Sequence, residues 1–290
     1  MEVIHFPTVQ NIPHLALCLG NFDGIHLGHQ KLFKEAKRYG KHVGVLLFDK
    51  NPAEFFPSNK SLKVLTGLDD KIKILESLGV EYVFVTHVSK EFFALSKEEF
   101  IRDYIDTLHP SIIVCGTDYR FASKASGSPE DLKKTYKVHV VDLLLHKNGE
   151  KISTQSIIRL IEEGKIEEAN ALLGRPYGVT GTVVKGLELG RTIGYPTANL
   201  SLKEKYVIPL NGVYSTTTNG LLSFTNVGNN PTVGVLHDPI IETHILDFNA
   251  DLYGETVTLS FRHFIRNEKT FASLSELKEQ LDKDITKVSF

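Results

Sequence analysis

The sequence predicts a chain in two parts, an α/β doubly wound domain over residues 1–174 followed by a small antiparallel β-barrel over residues 175–290 that ends in a helix. Three observations carry that reading. Up to about residue 145, short apolar runs rich in β-formers alternate with segments of 3.6-residue period, the β-α-β rhythm of a parallel sheet. After "GRPYG" the rhythm changes to short strands separated by turn residues, which suits a barrel that closes its own edges. At 290 residues and 41% hydrophobic, the chain is long enough for about two domains, each with its own core.

In order, the first part pairs "LALCL" with "QKLFKEAKRYG", "HVGVLLF" with "DKIKILESLG", "EYVFV" with "KEEFIRDYIDTL", and "SIIVCG" with "PEDLKKTYK", then ends on "VHVVDLLL". Two further helical stretches follow, "SIIRLIEEG" and "IEEANALLG", each closed by a glycine where a helix C-cap favours one. The barrel is expected from "VTGTVVKG", "GVYSTTT", "LLSFTNVG", "IIETHILDF" and "TVTLSFRHF". "SLSELKEQLDKDI" reads as the closing helix, with Ser273 or Ser275 at its N-cap.

Composition narrows the setting. Lys+Arg 33 against Asp+Glu 35 leaves almost no net charge, so the molecule as a whole is not built for nucleic acid or an anionic membrane, and any phosphate site must be local. No basic-then-apolar leader and no apolar run of about 18 residues occurs, so a cytoplasmic protein is expected. Cys18 and Cys115 sit in apolar runs without C-x-x-C spacing, which suits buried reduced thiols. Self-association is left open by the sequence.

The stretch "GNFDGIHLGHQ", residues 20–30, ends the first expected strand and opens the first helix. His26 and His29 can be read as metal ligands, as packing residues or as the floor of a phosphate site. A metal needs a third and fourth ligand at usable spacing, and none is near in sequence. The carboxyl edge of a parallel sheet is where such folds bind ligands, and a helix N-terminus favours phosphate, so the third reading is preferred. Two imidazoles there can donate hydrogen bonds to a phosphoryl group as charge builds on it.

In the second part, "GTVVKGLELGRTIGYPTANL" contains Gly181, Gly186 and Gly190, and closely spaced glycines let backbone N–H groups approach phosphate oxygens. It is not a Walker loop. Thr197 and Asn199 offer two neutral oxygen ligands that suit Mg²⁺ bridging phosphates, while the plain alternative is a turn after Tyr195-Pro196. Alternation along "IIETHILDF" puts Ile240, Glu242, His244, Leu246 and Phe248 on one face. A carboxylate on that mostly apolar face is either at the rim or functional; His244 is read as a packing or hydrogen-bonding residue.

These stretches carry a resemblance. "GNFDGIHLGHQ" resembles the H-x-G-H element of the nucleotidylyltransferase superfamily, and with "GTDYRF", "ALLGRPY" and "GRTIGYPTANL" the chain resembles the bacterial bifunctional riboflavin kinase/FAD synthetase family nearly end to end. The resemblance implies that the first domain transfers AMP from ATP to FMN and that the barrel phosphorylates riboflavin with ATP and Mg²⁺. It implies ATP or phosphate contacts for Gly20, Asn21, Phe22, Asp23, Gly24, Asp118, Ser153 and Thr154, and for Gly181, Gly186, Gly190 and Arg191. It further implies metal ligation by Thr197 and Asn199, catalytic roles for His26 and His29, and Glu242 as general base toward the ribityl hydroxyl.

The first domain departs from the family's pattern more than the barrel does. "FDKNP" carries Lys50 and Asn51 where Pro and His are usual, Ala122 replaces a loop glycine, and "ISTQSII" places Gln155 and Ile158 where Thr and Arg stand. Arg159 would point about 100° from Ile158 around a helix. Lys124 is a second candidate cation for the phosphates. The rival readings are a riboflavin kinase whose adenylyltransferase half has weakened, and a non-catalytic protein that senses flavin or nucleotide.

Overall fold

The computed structural model describes residues 1–50, 63–146, 149–186, 190, 193–229 and 239–289. Asn51 and Arg191, named above from the sequence, lie outside the described residues. The chain divides into two compact units, Met1–Ser153 and Thr154–Phe290.

The first unit is a six-stranded parallel sheet: β1 Glu2–His5, β2 Leu15–Leu19, β3 His42–Phe48, β4 Tyr82–Thr86, β5 Ile112–Gly116 and β6 Val138–Val141, in the order β1-β4-β3-β2-β5-β6. Helices α1 Leu27–Tyr39, α2 Leu68–Ser77, α3 Lys90–Ala94, α4 Lys97–Phe100 and α5 Pro129–Leu132 connect the strands. All five residues of β2 are buried, so the strand shows no polar alternation. Ala16 and Cys18 pack on one face with Leu32 and Phe33 of α1, and Leu15, Leu17 and Leu19 pack on the other with Phe100, Ile105 and Leu108. Each such leucine is worth about 1.5–3 kcal/mol relative to exposure. Cys115 falls in the second of these layers and Cys18 in the first, so the two thiols lie on opposite faces of the sheet, free and buried, as expected for reduced cysteines.

The chain winds outward from β2 through β3 and β4, then returns to add β5 on the other flank. The switch point therefore lies at the carboxyl ends of β2 and β5, whose registers align Leu19 with Cys115. Two differences from the sequence reading concern edges and turns. β1 was not foreseen, because "EVIH" is a short, largely exposed edge strand without alternation. "KEEFIRDYIDTL" is helical but not one α-helix: α4 runs into a π-turn, Ile101–Ile105, and a 3₁₀ turn, Asp106–Leu108. The buried residues Phe100, Ile105 and Leu108 are spaced five and then three apart, the periods that those two turns supply.

The second unit opens with α6 Thr154–Glu162 and α7 Ile166–Leu173, which were read with the first domain. Here they belong to the barrel's packing. Asn170 Nδ2 donates to the Phe261 carbonyl at 2.9 Å, and Leu210 N donates to Ile161 O at 3.3 Å. Six strands close the barrel: β7 Tyr177–Val184, β8 Ala198–Leu202, β9 Gly212–Thr218, β10 Leu221–Asn229, β11 Pro239–Ile245 and β12 Thr256–Arg266, ordered β10-β11-β8-β7-β12-β9. Part of its interior is polar. The hydroxyls of Thr216, Thr218, Ser223, Thr225 and Thr243, all buried, bond one another at 2.8–3.3 Å, which satisfies each at no cost in unpaired donors. Helix α8, Leu274–Ile285, is capped by Ser273, whose Oγ accepts from Glu276 N. Its Leu281 and Ile285 pack with Tyr195, Val213 and Phe224, and the fully buried Asp284 accepts from Arg266 Nε at 2.8 Å.

Candidate active sites

After β2 the chain turns through Gly20–His26 in an unusual backbone. Phe22 (φ 51°), Gly24 (φ 78°) and Ile25 (φ 40°) are all left-handed. Two of the three are not glycine, at about 1–3 kcal/mol each. The turn delivers His26 to the N-cap of α1, where its Nδ1 accepts from His29 N at 3.4 Å. That bond puts the His26 ring proton on Nε2. The two imidazoles stack, centroids 3.7 Å apart at 18°, and Phe22 meets His29 edge-on at 5.2 Å. Gly28 makes the stack fit: a β-carbon there would lie 3.0 Å from the His26 ring. Gly28 was not among the residues singled out from the sequence, although the motif contains it.

The other expected contacts of this unit divide. Asn21 is exposed at the loop tip, and its carbonyl accepts from Lys71 Nζ at 3.4 Å. Asp23 faces inward, only 3% exposed, and its carboxylate accepts from Leu65 N and Thr66 N, each at 3.0 Å. A carboxylate so placed holds the loop and would repel a phosphate, so the side chain is engaged in structure. Asp118 follows β5 across the switch point and is ion-paired with Lys151. Ile152 lies beside Gly28, its carbonyl 3.8 Å from where a β-carbon would be, which brings the segment just before Ser153 to the start of α1. Thr154 begins α6, with Ile158 half-buried and Arg159 exposed along the same helix. Ala122 sits at φ 61°, ψ −174°, and Lys124 at φ 53°.

The second site is built from strand register. Glu242 on β11 pairs with Asn199 on β8 and with Asn226 on β10, so the three stand in one row across the sheet. With Thr243 turned into the hydroxyl-lined interior, alternation turns this row outward. Burial raises the Glu242 carboxyl above its ordinary range, which makes its carboxylate a stronger proton acceptor. Asn226 was not anticipated; its signal, an amide opposite a carboxylate, exists only once the strands are registered.

Thr197 lies just before β8 and after the turn at residues 193–194. The segment is pinned from both sides. His244 Nδ1 bonds the Pro196 carbonyl at 2.7 Å, the hydrogen-bonding role expected for it, and the Tyr195 hydroxyl donates to Asp282 of α8. Gly186 packs against Asn199, where a β-carbon would lie 2.1 Å from Nδ2. Gly190 accepts from Tyr195 N at 2.8 Å and so builds the turn into the segment. Gly181 lies inside β7 with Ser201 O 2.8 Å from its would-be β-carbon, so it serves close strand packing.

Beside Thr197 a cavity of about 240 Å³ is lined by Pro196, Ala198, Thr243, Ile245 and residues 248–253. Phe248 is on this wall and not on the face of Glu242, because β11 ends at Ile245 and Asp247 turns left-handed (φ 53°). The run "FNADLY" was missed in the sequence as a site element. Its Asp-containing turn after the Glu242 strand was the only available cue.

Known proteins align with both halves. The riboflavin kinase family matches residues 173–289 and the FAD synthetase family matches residues 9–156. A Listeria monocytogenes protein named bifunctional riboflavin kinase/FMN adenylyltransferase is 39% identical over 281 residues, covering 92% of this chain and 89% of that one. The protein of the same name from Escherichia coli K12 is 36% identical over 282 residues, covering 92% and 90%. A crystal structure from Streptococcus pneumoniae called a macrolide-efflux protein superposes with a TM-score of 0.88 at 34% identity, covering 98% of this chain and 97% of that one. Among the described residues no helix is long and apolar enough to cross a membrane. With 34–39% identity to such proteins over most of its length, and a match in each half, the chain belongs to the bifunctional riboflavin kinase/FMN adenylyltransferase family.

Proposed function

We propose that this chain phosphorylates riboflavin to FMN in its barrel and adenylylates FMN to FAD in its first domain, using ATP for both steps in the cytosol. The observation that carries the reading is the Asn199–Glu242 pair, registered across β8 and β11 beside Thr197. A non-catalytic flavin sensor has no need for a carboxylate of raised basicity at that point.

Riboflavin phosphorylation asks little covalent chemistry of the protein. The Glu242 carboxylate takes the proton of the ribityl terminal hydroxyl as its oxygen bonds the γ-phosphorus of ATP, and the bond from that phosphorus to the β–γ bridging oxygen breaks, releasing ADP. Gly186 lies against Asn199 and Gly190 against Tyr195, where their backbones can line the triphosphate. The cavity formed by Thr197 and residues 248–253 receives the rest of the nucleotide. Neutral oxygens at Thr197 and Asn199, next to one carboxylate, fit a hard cation such as Mg²⁺ rather than a transition metal. Bound there, Mg²⁺ would neutralise phosphate charge.

For adenylyl transfer, an FMN phosphate oxygen attacks the α-phosphorus of ATP directly and pyrophosphate leaves. The sequence places no Ser, Cys or Lys as an obvious covalent relay. Nε2–H of His26 and the ring of His29 stabilise charge on the α-phosphate, with the amides of α1 behind them.

Incubating the purified chain with riboflavin, ATP and Mg²⁺ and separating the flavins tests both assignments. FMN should appear first and FAD after it. Absence of FMN rejects the kinase assignment, and FMN without FAD restricts the chain to a riboflavin kinase.

A further inference from the structure

The left-handed turn that places His26 and His29 is held by a segment more than forty residues away. Thr66, 5% exposed at the approach to α2, is the centre of that hold. Its hydroxyl donates to Asp23 Oδ1 at 3.2 Å and accepts from Gly24 N at 2.9 Å. Its own N–H and that of Leu65 donate to the same carboxylate, both at 3.0 Å. One turn into α2, the buried Lys71 reaches the Asn21 carbonyl. Asn21, Asp23 and Gly24 of the turn are thus fixed from one short stretch, residues 65–71. The fixed residues are interleaved with Phe22 and Ile25, whose left-handed backbones need an outside restraint. The turn ends at the N-cap of α1, so the setting of the turn is the setting of the histidine stack.

We infer that Thr66 is a positioning residue for adenylyl transfer, its hydroxyl locking Asp23 and Gly24 so that His26 and His29 meet the α-phosphate in one arrangement. This rests on the reading of those histidines given above. Nothing in the local sequence of "VLTGLDD" announces the role; it exists only through the long-range pairing.

The test uses Thr66→Val, which keeps the shape and loses both hydroxyl bonds, and Thr66→Ser, which keeps both. Thr66→Val should lower kcat for FAD formation from FMN by about 10- to 100-fold, with KM for ATP moved much less. FMN formation from riboflavin should be unchanged, because it occurs in the other unit, and Thr66→Ser should recover most of the loss. In protein labelled with ¹⁵N-histidine, the His26 and His29 signals should shift or broaden in Thr66→Val and return in Thr66→Ser. If Thr66→Val fails to fold, as loss of the first unit's own melting transition would reveal, Asp23→Asn carries the same expectation with a smaller loss. Wild-type kcat together with unmoved histidine signals overturns the inference. If instead the wild-type chain makes no FAD, or His29→Ala leaves FAD formation intact, the catalytic reading of the histidines fails separately, and unmoved signals in Thr66→Val would still overturn the positioning role.

Discussion

The two candidate sites are made in different ways. The barrel site is a row of side chains on paired strands, Asn199, Glu242 and Asn226, whose spacing follows from the pleat and the register. The site in the first unit is a turn in left-handed backbone, held by Asp23 and Thr66 and ending in a stacked histidine pair. The Glu242 strand is held by a long ladder, seven residue pairs between β10 and β11, so small changes on it are shared among many bonds. A strained turn depends on a few specific bonds. The difference predicts that substitutions in the bonds holding the histidine turn cost FAD formation more steeply than substitutions in the barrel away from Glu242 cost FMN formation.

His29→Ala is expected to have the largest effect. Loss of a preorganised donor costs about 10²- to 10³-fold by itself, and loss of the stack that supports His26 adds to it, so FAD formation should become undetectable. FMN formation should persist at the wild-type rate. Residual FAD within tenfold of wild type, an about 1.4 kcal/mol effect, would mean that the turn is not the catalytic element.

Glu242→Gln is the matching experiment in the barrel and should slow FMN formation by about 10²- to 10⁴-fold, leaving FAD formation from supplied FMN intact. It also separates catalysis from stability. Burial raises the folded-state pKa of this carboxyl above its unfolded value. Below the unfolded value both states are protonated and there is no cost. As pH rises through the unfolded value toward the folded one, the unfolded chain ionises first and the fold loses stability, fully so above the folded value. Gln cannot ionise, so Glu242→Gln should melt higher than wild type near neutral pH, with the gap closing in acid. For the same reason the acidic limb of the FMN-forming rate should lie above the ordinary carboxylate range. A variant that loses activity and also melts lower at neutral pH would mark Glu242 as structural.

Much of this was legible beforehand, for reasons that differ between the halves. Flanking turn residues located β9 at 212–218, and alternation along "IIETHILDF" placed Glu242 on its strand, because both signals are local. "GNFDGIHLGHQ" announced a helix start after a buried strand, and α1 begins at Leu27. Strand β8 was obscured because "PTANLSL" opens with turn-forming residues. The engagement of Asp23 with residues 65 and 66 had no local signature, since its partners lie 42 and 43 positions away. Asn226 and residues 248–253 were hidden likewise, as cross-strand and cavity neighbours are products of closure.

Gly186→Ala probes how exacting the barrel site is. A methyl group there would lie 2.1 Å from Asn199 Nδ2, so the amide must swing aside. Overpacking of this size costs about 1–2 kcal/mol, which corresponds to roughly a tenfold loss in kcat/KM for ATP. Raising Mg²⁺ should recover part of it if Asn199 serves the cation. An unchanged kcat/KM would show that Asn199 is not used where it stands.

Ala122→Gly should have the smallest effect and the opposite sign. Ala122 occupies φ 61°, ψ −174°, a region that glycine visits and other residues avoid at about 1–3 kcal/mol. The backbone is held there from both sides: Ser123 N donates to Leu95 O at 2.9 Å, and Phe121 pairs with Gly127. The loop has therefore kept a glycine conformation while carrying a methyl group. Glycine would relieve the strain but widen the unfolded ensemble by about 0.4–1 kcal/mol, leaving a net gain of about 1 kcal/mol. For a unit of this size that is a rise of about 2–4 °C in the first unit's Tm, with the barrel's unchanged. A fall in Tm would mean that the methyl group's packing outweighs the strain, and that the alanine stabilises a loop that glycine would loosen.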